Sequence, residues 1–379
     1  MFLIQRQIFR DIFLATLMIC GILTFLLLSV NALRDIISLV AAGRVGVSVV
    51  LELFLLLLPY IAAYALPMGI LAATLLVFGR MSASRELTAL RAAGMSYGTI
   101  LAPVVVFIAI GVALSLVINL EYAPSARAEY RRMLGELVRT NPTQFFTPKQ
   151  FVKDFPGFVI YVGEREGDEL KDFWIWQLDE NERAERVLRA EQGALTYDDS
   201  RGVIVIELEQ ASAEVLPQTE ADLKSGERAP LFTVGTTIEL SLDQVLRRGN
   251  PEKKTSRLTA RQLLLVHRAL AAGEPSPIPL RGEVSPEDLR AQFQENVAKS
   301  FAPLSLGMLA IPLAIRVGRK ETYTHVAMAL GLSLGYYFTL VLMGMARESL
   351  GAGAEFLMWL PNAFFQGLGA FLIYRLFRS

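Results

Sequence analysis

Apolar residues gather into six long runs, three on each side of a polar centre. The first three cover about Ile12–Leu33, Val47–Phe78 and Ile100–Leu120. The last three cover about Phe301–Ile315, Val326–Ala346 and Phe356–Leu376. A bilayer core about 30 Å thick is crossed by roughly 20 apolar residues in a helix. Lipid offers no partner to an unpaired backbone group, so each run is expected to be helical, with Pro59 and Pro67 tolerated inside the second. The fourth run is short, but a polar helix before it can extend it. The first run is too long for a cleaved signal peptide and has no small-residue cleavage site behind it, so it is read as a retained span.

The polar centre follows another period. From Phe145 to Leu240, apolar and polar residues alternate in twos, broken by turn residues, the pattern of half-buried strands. Strands are expected at Gly157–Val162, Asp172–Trp176, Ala194–Tyr197, Val203–Leu208, Ala211–Leu216 and Leu231–Leu240, with a turn at Asp198–Gly202. Short strands at this spacing suggest a sandwich or jelly roll. The period then returns to helical over Leu258–Ala271, followed by a Pro- and Gly-rich loop at Ala272–Arg281. Ser285-Pro286-Glu287-Asp288 is a helix start, with Ser as cap, Pro in the first turn and acids facing the positive end of the helix. The fold expected is a polytopic α-helical membrane protein with six transmembrane helices and an all-β, jelly-roll-like domain between helices three and four. Its segments are 1–122 (three spans), 123–257 (β domain), 258–299 (helical connector) and 300–379 (three spans).

Charge sharpens this division. The chain of 379 residues is 53% hydrophobic, with 37 basic and 37 acidic residues. Residues 123–299 hold 24 of the basic and 29 of the acidic ones, a net of −5, and the rest of the chain carries +5. A nucleic-acid binder concentrates positive charge on its soluble part, so that class is excluded. Short-loop cations orient the spans. Arg6, Arg10, Arg80, Arg85, Arg91, Arg316, Arg319, Lys320, Arg375 and Arg378 fall on one side, and Arg34, Arg44 and Arg347 on the other. Both termini are therefore expected in the cytoplasm, with the β domain across the membrane, which is the periplasm if the cell is Gram-negative.

Catalytic chemistry is missing from the sequence. There is no Gly-x-x-x-x-Gly-Lys-Ser/Thr phosphate loop and no Gly-x-Ser-x-Gly elbow. The two histidines, His267 and His325, stand outside any metal-ligand spacing and are read as surface or interface residues. The lone Cys20 lies in an apolar run and is read as packed or lipid-facing. No cofactor is implied, and the chain is not expected to be an enzyme.

Two places could carry function. The loop Gly79–Ser96 should hold a cytoplasmic helix over about 82–94, capped by Ser82 or Ser84 and ended by Gly94. Its exposed Arg85, Glu86, Thr88 and Arg91 suit either a solvated positive-inside loop or a helix that docks in a cytoplasmic motor. At the outer end of the first run, Arg34 beside Asp35 can snorkel to the interface or face a cavity and pair with an anionic ligand. Glu52 and Glu121 are interfacial.

Four features together resemble the lipopolysaccharide-export permease family LptF/LptG (YjgP/YjgQ). They are the three-helix, β-domain, three-helix plan; the segment Ser84–Ser96; Ala302-Pro303-Leu304 followed by Ala310–Ile315; and Trp359-Leu360-Pro361-Asn362 at the start of the last helix. The resemblance covers essentially the whole chain and leans toward LptF. It implies an LptF–LptG heterodimer, an LptB-type ATPase dimer and an LptC-type single-helix partner. Lipopolysaccharide would leave the inner membrane past gates on helices one and five and pass through the β domain to a periplasmic bridge. On this chain, Glu86 matches the family's coupling-helix acid, with Arg85, Leu87, Leu90 and Arg91 around it, although Arg85 stands where the family often has a small polar residue. Arg34 matches a basic position that meets the lipid's phosphates, and Asn31, one turn earlier, stands where some members have a Lys. The competing class is a membrane-anchored periplasmic sensor or scaffold without transport activity; its usual cytoplasmic output domain has no counterpart here.

Overall fold

The computed structural model describes residues 2–35, 47–140, 149, 151–152, 157–166, 169–179, 184–198, 203–215, 232–241, 255–280, 284–317, 322–350 and 354–378. Six helices among them are long and apolar enough to cross a membrane. The first two are α1 (Phe2–Asp35) and α2 (Val47–Ala83). The short α3 (Glu86–Ala92) leads to α4 (Tyr97–Val117), which passes through one π turn (Ile118–Tyr122) into α5 (Ala123–Thr140). Two connector helices follow the sheet, α6 (Ala260–Ala271) and α7 (Pro286–Ser300). The last three are α8 (Ala302–Val317), α9 (Thr322–Leu350) and α10 (Leu360–Arg378), the last preceded by a 3₁₀ turn, Ala354–Trp359.

One boundary differs from the sequence reading and another agrees with it. The third span does not end at the membrane edge: the helix runs on to Thr140, where the sequence reading has the β domain begin at 123. Helical periodicity in Ala123–Thr140 is carried by a polar amphipathic surface rather than an apolar run, so hydropathy hid it. The fourth span does gain the polar helix before it. α7 and α8 meet at Phe301, and the amides of Leu304 and Ser305 already bond back to the Phe301 carbonyl (3.0 and 3.1 Å). Pro303, which has no N–H to give, falls in the first turn of α8, where none is needed.

Helix starts are chemically specified. Ser285 Oγ accepts from the Asp288 amide (3.2 Å) while Asp288 Oδ2 accepts from the Ser285 amide (3.0 Å), a capping box of the kind expected at this start. Thr259 and Gln262 form the same device at the head of α6.

The α7–α8 span is the centre of the helical unit: 67% of its most apolar window is buried, against 11% for α1. Glycines permit the closest approaches. A Cβ on Gly307 would meet Ile108 at 2.6 Å, and one on Gly369 would meet Met308 at 2.9 Å, so α4 and α10 pack directly on α8. The core includes Ile70, Leu75 and Phe78 of α2, Ile100 and Val104 of α4, Leu306 and Leu309 of α8, and Tyr336 of α9.

Contacts separate the described strands into a second compact unit. Six antiparallel strands pair in sequence order: β1 (Phe151–Val152), β2 (Phe158–Glu166), β3 (Glu169–Leu178), β4 (Ala184–Asp198), β5 (Val203–Val215) and β6 (Phe232–Ser241). The all-β insert is as expected. All described pairings join neighbours, the order of a meander; the Greek-key crossing of a jelly roll is not among them. One face is apolar and continuous, with Ile160 opposite Ile175, Ile175 opposite Leu188, and Val162 opposite Phe173. The segments read as two strands at Val203–Leu208 and Ala211–Leu216 are one strand, β5, with a register shift between Leu208 and Ala211. A bulge there inserts one extra residue without ending the ladder, which mimics a turn in the alternation pattern. The Asp199–Gly202 part of the expected turn lies outside the described residues, but Asp198 pairs with Val203 across it.

Candidate functional site

The loop singled out by sequence is a built structure. α2 ends at Ala83, and α3 occupies Glu86–Ala92 rather than the whole of 82–94. Neither serine caps α3. Ser84 Oγ lies 3.0 Å from the Arg80 carbonyl and 2.8 Å from the Glu86 carboxylate, so its single proton can go back to the end of α2 or forward to Glu86, and neither bond caps an α3 amide. Ser82 Oγ donates to the Ile315 carbonyl of α8 (3.2 Å). The N-cap is Arg85, whose backbone takes the left-handed region at φ 61° with no side-chain cap. That conformation is costly for a residue with a Cβ.

The far end of α3 is tied more conventionally. Gly94 sits at φ +85°, its amide bonds the Arg91 carbonyl (3.0 Å), and the Met95 amide bonds the Leu90 carbonyl (3.1 Å). This pair of bonds is a Schellman closure, and Leu90 and Met95 both pack on the core as such closures favour. Gly94 therefore ends the helix as expected.

Leu87 is buried and Leu90 half-buried, one helical turn apart, and they root α3 on the membrane-helix core. Arg85, Glu86, Thr88, Ala89 and Arg91 are exposed. The Arg91 guanidinium lies 4.3 Å from the Tyr97 ring centre, and Tyr97 meets Phe377 edge-on, so this face also includes the start of α4 and the end of α10. The five predicted coupling residues are thus brought together as two anchors and three exposed polar heads.

The predicted lipid-contact residues are less defined. Asn31 and Arg34 fall in the last turns of α1, and their side chains lie outside the described residues. Before them along α1, much of the helix is bare: Phe13, Leu17, Ile22, Phe25 and Val30 are exposed. α9 carries a similar strip, with Val326, Leu330, Leu334, Phe338, Val341 and Met345 exposed at three- and four-residue spacing. Glu52 is exposed on α2 and Glu121 half-buried in the π turn.

Sequence reasoning missed two polar constellations. In the first, Asn362 is 1% exposed, accepts from Ser305 Oγ (2.6 Å) and Tyr336 Oη (2.8 Å), and donates to the Ala298 carbonyl (2.7 Å). It pins α10 to α7, α8 and α9. In the second, Glu295 of α7 accepts from Arg347 Nη1 of α9 (2.9 Å) and from Lys299, with Gln292 and Asn296 on the same stripe. The four-residue spacing of Gln292 to Asn296 and Glu295 to Lys299, on a helix entering the membrane, was the available signal.

His325 is also more buried than a surface residue: its ring fits against Gly79, where a Cβ would come within 2.5 Å of Nε2. The arrangement as a whole offers surfaces and anchors, and no group of three or more potential metal-ligating side chains occurs among the described residues.

Comparison with known proteins adds one finding. The family model described as "Lipopolysaccharide export system permease LptF/LptG" matches residues 6–375. No curated protein matches the chain.

Proposed function

This chain belongs to the LptF/LptG family of lipopolysaccharide export permeases, multi-pass proteins of the inner membrane, and we propose that it works as one half of an ATP-driven lipid extractor. In this reading it pairs with a paralogous permease to form an LptF–LptG heterodimer. A separate LptB-type ATPase dimer supplies the energy, and an LptC-type single-helix protein completes the membrane complex. Both termini and α3 lie in the cytoplasm. The sheet lies in the periplasm and receives lipid for a bridge toward the outer membrane.

The observation that carries this reading is the α3 hairpin. A force applied to Glu86, Arg85 or Arg91 reaches the membrane-helix core through Leu87, which is buried in that core, and Leu90, which packs against it. A helix meant only to turn the chain would not need a carboxylate oriented by Ser84 beside a left-handed arginine. The exposed strips of α1 and α9 suit surfaces that meet acyl chains. Exposing such chains to water costs about 0.8 kcal/mol per CH₂, so extraction needs both an apolar path and an external energy source. Arg34, with Asn31 one turn before it, is the proposed contact for the lipid's phosphates.

A photo-crosslinking residue at position 86 tests the docking. The full complex purified from the membrane should yield a crosslink to the ATPase subunit from position 86 and none from position 52 on α2. A crosslink from position 52 and none from 86 would overturn the assignment.

A further inference from the structure

The second polar constellation has one group left unsatisfied among the described residues. Gln292 Nε2 donates to Asn296 Oδ1 (3.0 Å), and Asn296 Nδ2 then has no acceptor within reach among the described residues. Asn296 is 7% exposed. A buried amide without a partner costs about 1–3 kcal/mol, so this donor calls for an acceptor beyond the described residues, and the cavity it lines gives a ligand access to it.

That donor lines a cavity of about 130 Å³ whose wall includes Tyr60, Tyr64, Arg127, Gln292, Asn296 and Lys299. Arg127 is held over the Tyr60 ring at 4.9 Å, which fixes its guanidinium at the cavity wall. Glu295 is the carboxylate in this wall, and it is engaged by both Arg347 and Lys299. With Arg127 and Lys299 in the wall against that one engaged acid, the net charge here is positive. The chemistry selects an anion with several acceptor oxygens.

A second cavity of about 310 Å³ shares Tyr64, Asn119, Glu295 and Lys299 with the first. Its other wall is apolar, formed by Leu340, Val341 and Met358. The π turn places Asn119 between the two, where one extra residue per turn re-aims the side chain.

We propose that these adjoining cavities between α2, α7 and α9 form one site for an anionic amphiphile. A phosphate-bearing headgroup is held by Asn296, Lys299 and Arg127, and an acyl chain lies along Leu340, Val341 and Met358. The site belongs to one subunit alone and needs only that the chain sit in a membrane, so it goes beyond export. Membrane phospholipid and lipopolysaccharide both carry this chemistry.

The test is native mass spectrometry of the full-length protein, delipidated in detergent and titrated separately with phosphatidylglycerol, lipopolysaccharide and inorganic phosphate. Wild type should retain one amphiphile. Asn296→Asp, nearly the same shape but anion-repelling, should weaken retention about tenfold, the value of one charge-assisted hydrogen bond. Leu340→Ala should weaken amphiphile but not phosphate binding, and Arg375→Gln should change neither. Dependence on Asn296 with phosphatidylglycerol makes the occupant a membrane lipid and supports the site; the same dependence with lipopolysaccharide alone makes the cavities part of the export path and overturns a site that goes beyond export. Retention by monodisperse Asn296→Asp equal to wild type, or binding of inorganic phosphate without amphiphile, overturns it.

Discussion

The Asn362 and Glu295 constellations sit on the same helices and share α7, yet one is closed and the other open. Asn362 is neutral and surrounded, and its Oδ1 and Nδ2 both meet partners on other helices. The Glu295 stripe carries charge, borders cavities and leaves Asn296 Nδ2 unpaired among the described residues. In a low-dielectric interior a fully satisfied neutral network fixes geometry, whereas a half-satisfied charged one is a liability unless something else completes it. The difference separates a structural pin from a place where a ligand belongs.

That contrast can be broken from either side. The largest effect should come from Asn362→Leu, which takes the Asn362 acceptor from Tyr336 and Ser305 and the Asn362 donor from the Ala298 carbonyl, although Ser305 keeps Phe301 and Gln366 and the carbonyl keeps the Phe301 amide. About 3 kcal/mol of stability should be lost, three interhelical bonds at roughly 1 kcal/mol each. Reversible unfolding in mixed micelles reads it, and a loss below that of Arg347→Gln would erase the distinction. Gly79→Ala should cost about 1–2 kcal/mol by forcing α2 off His325. Adding His325→Ala should recover most of that in a double-mutant cycle.

Arg347→Gln should cost about 1 kcal/mol, because Glu295 keeps Lys299 and the glutamine amide can still donate to it. The smallest effect should be Arg80→Gln. Its bond to Asp11 is short (3.0 Å), but the Arg80 side chain is 66% exposed, so the change should stay within about 0.5 kcal/mol. A larger loss would mean that the α1–α2 contact depends on this pair more than on packing.

Much of the architecture was legible because bilayer thickness and strand alternation leave strong periods. The six runs, the capped start at Ser285 and the helix stop at Gly94 all rest on local chemistry that a sequence displays. The Ser84 cap failed because a serine hydroxyl can serve either the helix behind it or the one ahead, and across the tight turn through Arg85 it caps no α3 amide. β5 was split in two because a bulge interrupts alternation as a turn does. Asn362 was visible as part of a motif, but its role was not, since its partners lie 26 to 64 residues away along the chain. The Glu295 stripe was missed because one helix face says nothing of the Arg347 and Arg127 that meet it from other elements.

Coupling through α3 is tested most directly by ATP-driven release of lipopolysaccharide from proteoliposomes containing the whole complex. With Glu86→Arg, release should fall at least tenfold while the helical core keeps its thermal midpoint, since Glu86 is exposed and makes its one side-chain bond to Ser84 at the surface. Release at the wild-type rate from a complex that retains its ATPase would contradict it.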